Sequence, residues 1–260
     1  LIFFENEEGL DEEGLDEEGL DEIREVGWRL ALEGVDESTA SRVSEWAGSC
    51  REFLSRTPAV VVDLAVQPIL ELRTIGLELL QEASLTPALA CRLAESGAPD
   101  VVAECTRYLG TLEPGSAQAT EAVLLLCDSA VQEARGAGLE YLHTHEEKTI
   151  SEKVLAALAG SAHDDVRLVV ATYLLDPAWD GFDSSGFDRS VLCRVRGGSK
   201  VKALIKKRVE RTGVMASEVL LALARGINRS DADWAMGLLS LRAITDEVIP
   251  GIIMCEESEG

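Results

Sequence analysis

One spacing recurs along the chain and commits most of it to helices. Apolar or small residues fall at j, j+3, j+4, j+7 and j+8, the stripe that lies along one face of an α-helix. From Leu72 the stripe is Leu72, Ile75, Gly76, Leu79 and Leu80. It returns as Val101, Glu104, Cys105, Tyr108 and Leu109, with Glu104 the misfit, and as Ala134, Ala137, Gly138, Tyr141 and Leu142. Val166, Val169, Val170, Tyr173 and Leu174 follow, then Val201, Leu204, Ile205, Arg208 and Val209, where Arg208 breaks the pattern. The anchors stand 29, 33, 32 and 35 residues apart, and a weaker sixth copy lies near Trp234, with its register left open. All three tyrosines occupy j+7, which points to packing between copies rather than to catalysis.

Each stripe is preceded by a second apolar helical segment, at 59–66, 87–96, 120–129, 152–161, 189–196 and 217–226, so each copy reads as a helical hairpin. Turn signals such as "SGAPD" (96–100), "LEPGS" (112–116) and "RGGSK" (196–200) separate the helices. One hairpin buries too little to offset the ordering of its backbone, which costs about 1–2 kcal/mol per residue. Stacked neighbours must supply the difference. The expected fold is all-α, a right-handed α-solenoid of about five to six repeats.

The segment "AHDDVRLVVATYLL" (162–175) resembles the second helix of a HEAT or HEAT-like (armadillo-type) repeat, in which an Asp precedes Val-Arg and a run of small and apolar residues. The same slot holds Leu72-Arg73, Ala134-Arg135, Val166-Arg167 and Val201-Lys202, while Val101-Val102 lacks the base. The resemblance covers roughly residues 57–245. It implies that Arg73, Arg135, Arg167 and Asp164 help join adjacent repeats.

The other end of the chain has a different period. "EEGLDEEGLDEEGLDE" (7–22) repeats every five residues, which aligns its leucines on no helix face and no strand face. With 12 acids and one base in residues 1–25, an acidic disordered arm is expected there. Capping helices at 26–56, the repeat array at 57–247 and a C-terminal cap with an acidic tail at 248–260 complete the division. The formal charge is −23, which disfavours nucleic acid and anionic lipid as partners, since their binding draws on Lys and Arg. Six cysteines without C-x-x-C or metal spacing read as buried free thiols, and a cytoplasmic location is expected from them. No run of about 20 apolar residues suits a membrane span.

Catalytic signatures are scarce. Hydrolase, zincin, phosphate-loop and dinucleotide motifs do not occur, so no catalytic residue, metal or cofactor is assigned. "HTHEE" (143–147) places His143 and His145 about 200° apart on a helix, a poor ligand pair. "RGGSKVK" (196–202) reads as a turn whose Ser199 caps the next helix. The stronger signal is charge. Arg194, Arg196, Lys200, Lys202, Lys206, Lys207, Arg208 and Arg211 stand against the single acid Glu210. On a helical wheel Lys200, Lys202, Lys206, Lys207 and Arg211 spread over the face opposite the stripe, and Arg208 is expected to snorkel or to pair with a carboxylate. A partner surface is therefore expected at Arg194, Arg196, Lys200, Lys202, Lys206, Lys207 and Arg211, taking an acidic protein. Reversing Lys202, Lys206, Lys207 and Arg211 to Glu is expected to leave helicity intact. Trp179, Phe182 and Phe187, in "DPAWDGFDSSGFD" (176–188), either cover the core or add aromatic anchors to that surface. The functional expectation is a noncatalytic interaction scaffold. The alternatives are a HEAT-like nucleic-acid enzyme similar to the alkylpurine DNA glycosylases, to which Trp179 and Asp180 would contribute, and an acidic inhibitor of a basic target.

Overall fold

The computed structural model describes residues 17–194, 198–213, 215 and 217–243. Among them every regular element is helical, from α1 (Glu17–Glu33) to α16 (Arg229–Ala243). The chain divides into two compact units, Leu1–Ile150 and Ser151–Gly260.

In the first unit α1, α2 (Glu37–Ser49) and the short α3 (Arg51–Arg56) precede three hairpins. These are α4 (Pro58–Ala65) with α5 (Leu70–Leu79), α6 (Pro87–Glu95) with α7 (Pro99–Thr111), and α8 (Ala117–Asp128) with α9 (Gln132–Thr144). First helices pack on first helices, α4 against α6 and α6 against α8, and α7 packs on α9. A four-residue helix, α10 (Glu146–Thr149), closes the unit. The second unit holds α11 (Glu152–Ala159) with α12 (Asp164–Tyr173), α13 (Ser185–Leu192) with α14 (Ser199–Thr212), and α15 (Ser217–Ala224) with α16. There α12 packs on α14.

The stripes face inward as their spacing predicts. Leu72, Val101, Ala134, Val166 and Val201 are each buried, as are the j+8 residues Leu80, Leu109, Leu142, Leu174 and Val209. Tyr108 and Tyr141 are buried at j+7, while Tyr173 is half-exposed. The small j+4 residues have a packing reason. A Cβ on Gly76 would lie 2.3 Å from the Ala65 nitrogen, so α5 crosses α4 with backbone against backbone. On Gly138 it would lie 2.9 Å from Leu126 Cβ of α8.

Polar joints repeat as well. Thr86, Ser116 and Ser151 accept the Leu89, Ala119 and Val154 amides and cap α6, α8 and α11. Where those helices end, Ser96, Ser129 and Ser161 accept the amides of Ala98, Val131 and His163 through their hydroxyls, turning the chain into α7, α9 and α12. The bases after the anchors divide between two tasks. Arg73 reaches Asp100 of the next hairpin at 3.0 Å and Lys202 reaches Asp231 at 3.0 Å, while Asp164 is met by Arg194, outside the anchor slots, at 2.8 Å. Arg135 and Arg167 instead donate to the carbonyls of Ser129 (2.9 Å) and Ser161 (2.6 Å), tying each hairpin to itself.

The arm ends earlier than its composition suggests. α1 begins at Glu17, so residues 17–25 are helical; residues 1–16 lie outside the described residues. A helix already nucleated extends at little cost per residue. Trp28 is buried and stacks on Trp46 with ring centroids 3.7 Å apart, and this fixes the helix that the acidic repeat continues. Asp63, the lone acid in the apolar α4, is buried between Arg29 of α1, at 3.8 Å, and Arg92 of α6. Burial pushes its carboxyl up from the ordinary range and the two guanidinium groups pull it back. Since α1 packs on α4 and α2 on α5, the helices expected as a cap stack in the manner of a further hairpin.

Candidate functional site

The basic stripe lies on α14 and the chain leading into it, and most of its charges turn out to be internal. Lys202 is buried, with 8% of its surface exposed. Its Nζ donates to the Arg194 carbonyl at 2.5 Å and to Asp231 Oδ2 of α16 at 3.0 Å. Lys206 donates to the other Asp231 oxygen at 2.6 Å and lies 5.0 Å from the centre of the Trp234 ring, whose Nε1 donates to Glu210 at 2.9 Å. Burial opposes ionisation of Asp231, but the bonds from Lys206 and Lys202 outweigh it and hold the carboxyl below its ordinary value.

Asp231 also supplies the register of the sixth stripe. Asp231, Trp234, Ala235, Leu238 and Leu239 repeat the spacing, with Asp231, Ala235 and Leu239 buried. An acid in the anchor slot is what hid that copy in the sequence.

Further along α14, Arg208 is 3% exposed and pairs with Asp188 of α13 at 3.5 Å. It also donates to the Ser184 hydroxyl and, at 3.2 Å, to the Phe182 carbonyl. Ser184 in turn donates to Asp188 at 2.8 Å. The carboxylate expected for Arg208 is therefore Asp188, which burial pushes upward in pKa against the Ser184 hydrogen bond and the Arg208 charge. Arg211 bonds the Leu175 carbonyl and Asp180. Together Arg208 and Arg211 pin the loop at 175–184 onto α14.

This placement corrects several expectations. Lys202, expected on the outer face, turns inward because Asp231 and the Arg194 carbonyl offer its ammonium buried partners. Reversing Lys202, Lys206, Lys207 and Arg211 would set new carboxylates against Asp231 and Asp180, so loss of the unit's fold is expected instead of retained helicity. Phe187 is buried in α13 and presents no ring to a partner. Trp179 and Phe182 are half-exposed and meet edge to face at 6.3 Å. The stripe leaves Lys200 and Lys207 exposed and without an ion pair among the described residues; Arg194 and Arg211 reach solvent but carry Asp164 and Asp180. Arg196 lies outside the described residues. The left-handed Gly198, not Ser199, occupies the N-cap of α14. His145 packs against the Tyr141 ring at 4.7 Å, and no cluster of three His, Cys, Asp or Glu suited to a metal occurs among the described residues. None of the described helices is long and apolar enough to cross a membrane.

Sequence reasoning missed three buried acids: Asp188 and Asp231, which partner the buried Arg208 and Lys202, and Asp63, which the exposed Arg29 and Arg92 meet. For Asp63 a signal was available, a carboxylate within the otherwise apolar α4, which demands a partner; the mixed polar sequences of α13 and α16 gave none for Asp188 and Asp231. Charge is also divided unevenly between the units. Residues 1–150 hold 31 acids against 10 bases, a formal −21, and residues 151–260 hold 16 against 14, or −2. No protein-family model, no curated protein and no solved structure matches the chain.

Proposed function

We propose that the chain is a noncatalytic interaction protein, an α-solenoid of HEAT-like hairpins that binds another protein through its outward helix faces. One observation carries this reading: the titratable groups buried in α13, α14 and α16 are engaged with one another. The chain's net charge is strongly acidic, with the negative charge concentrated in residues 1–150. A basic protein target suits that field, because complementary potentials speed encounter and reject like-charged partners. An acidic partner drawn to α14 would meet Lys200 and Lys207 rather than a run of eight bases. The glycosylase-like alternative loses support for the same reason, since Asp180 is engaged by Arg211 and four of the stripe's bases, Lys202, Lys206, Arg208 and Arg211, are paired with acids.

Fluorescence anisotropy on the full chain separates these readings. The probes are a lysine- and arginine-rich peptide, a glutamate-rich peptide and a duplex carrying an alkylated purine, each titrated with salt. Saturable binding of the basic peptide is expected. Tight duplex binding with release of the alkylated base would overturn the proposal.

A further inference from the structure

The first unit has a groove between α7 and α9 whose lining has no internal explanation. Pro99, Val102, Ala103 and Thr106 form its α7 wall, and Glu133, Gly136, Ala137 and Glu140 its α9 wall. Both sets follow the i, i+3, i+4, i+7 spacing of one helix face. The groove measures about 410 Å³, and among the described residues Glu133 and Glu140 alone bring charge to its lining. The nearby cation Arg107 is held by Glu104 at 2.6 Å on its own helix.

Gly136 leaves the middle of the groove open. It lies inside α9, where glycine is less favourable than alanine. Two residues on, Gly138 earns its place by touching α8, but a Cβ on Gly136 would meet no atom within 4 Å. Among the described residues no contact calls for a glycine there. A side chain at that point would instead narrow the groove.

We propose, resting on the interaction reading above, that the α7–α9 groove is the docking site for a basic segment of the partner protein. Small apolar side chains of that segment lie on Val102 and Ala103, and its Arg or Lys side chains reach Glu133 and Glu140. Charge selects this occupant: the groove carries two carboxylates and no base, within a unit of −21. A second copy of the chain, itself strongly acidic, would be repelled.

The test uses the full chain and a fluorescein-labelled peptide of arginine, alanine and leucine that carries a photo-crosslinker. Gly136→Leu should weaken binding at least about tenfold, equivalent to about 1.4 kcal/mol, while the melting temperature stays level or rises. Glu133→Gln with Glu140→Gln should remove most of the salt dependence, and crosslinks should fall on α7 and α9. Parental affinity in Gly136→Leu, or crosslinks confined to other helices, overturns the groove and leaves the interaction reading standing. If the chain binds no peptide of either charge, both fall.

Discussion

Replacing Asp231 by Ala should unfold the second unit far more easily than any change at the exposed bases of the same charge cluster. Asp231 is 6% exposed and accepts both Lys202 and Lys206, at 3.0 and 2.6 Å. Removing one partner of a buried pair costs about 3–5 kcal/mol, because the remaining charge stays desolvated. Here the cost falls near the lower end, about 3 kcal/mol, since Lys202 keeps the Arg194 carbonyl and Lys206, 18% exposed at its side chain, swings towards water. With a urea slope of about 2 kcal/mol per M, the midpoint drops by about 1.5 M. Lys207→Glu, on the exposed side of α14, should stay within about 0.5 kcal/mol of the parent. Trp234, stacked under Lys206, reports the transition by fluorescence. Equal midpoints for the two variants would refute the claim that α14 is held by buried charge.

Gly76→Ala forces a Cβ into the α4 backbone, 2.3 Å from the Ala65 nitrogen. It should destabilise the first unit by about 1–3 kcal/mol or more, read from thermal melting, against a small effect for Gly136→Ala. The pH dependence of stability has opposite signs at two carboxylates. Asp231, held below its ordinary value, contributes stability that is present above its unfolded pKa and lost as pH falls through the lower folded one. Asp188, pushed up by burial, behaves in reverse: its contribution is full below the unfolded pKa and is lost as pH rises through the higher folded one. Relative to Asp188→Asn, the parent should therefore gain stability as pH falls through that window, measured by urea unfolding at a series of pH values. Thiol labelling should modify exposed Cys193 in the native protein and spare Cys91 and Cys105, whose pKa values burial raises to about 11 and about 12, until urea exposes them.

The stripe was legible because period and burial are tied: side chains on one face have one way to leave water, and the anchors Leu72, Val101, Ala134, Val166 and Val201 took it with their j+8 partners, while several j+3 residues stay half-exposed. Lys202 was misplaced because a wheel treats every ammonium as a solvent-seeking group. Burial of Lys202 and Arg208 depends on Asp231 and Asp188, which come 29 residues after the one and 20 before the other. Long-range pairing of that kind leaves no periodic trace. The helical end of the acidic arm was likewise hidden, because α1 is fixed by Trp28 stacking on Trp46 rather than by the residues of the repeat. The α7–α9 groove was invisible for a different reason. Gly136 and Gly138 look alike in sequence, and only the position of α8 distinguishes the glycine that packs from the one that faces open space.

Selection of random peptides on the full-length chain, scored for the net charge of the sequences retained, bears most directly on the account. Strong enrichment of arginine and lysine at low salt, fading above about 0.5 M as screening shortens the reach of the acidic field, is the predicted result. Retention of aspartate- and glutamate-rich peptides, lost when Lys200 and Lys207 are changed to Glu, would contradict it.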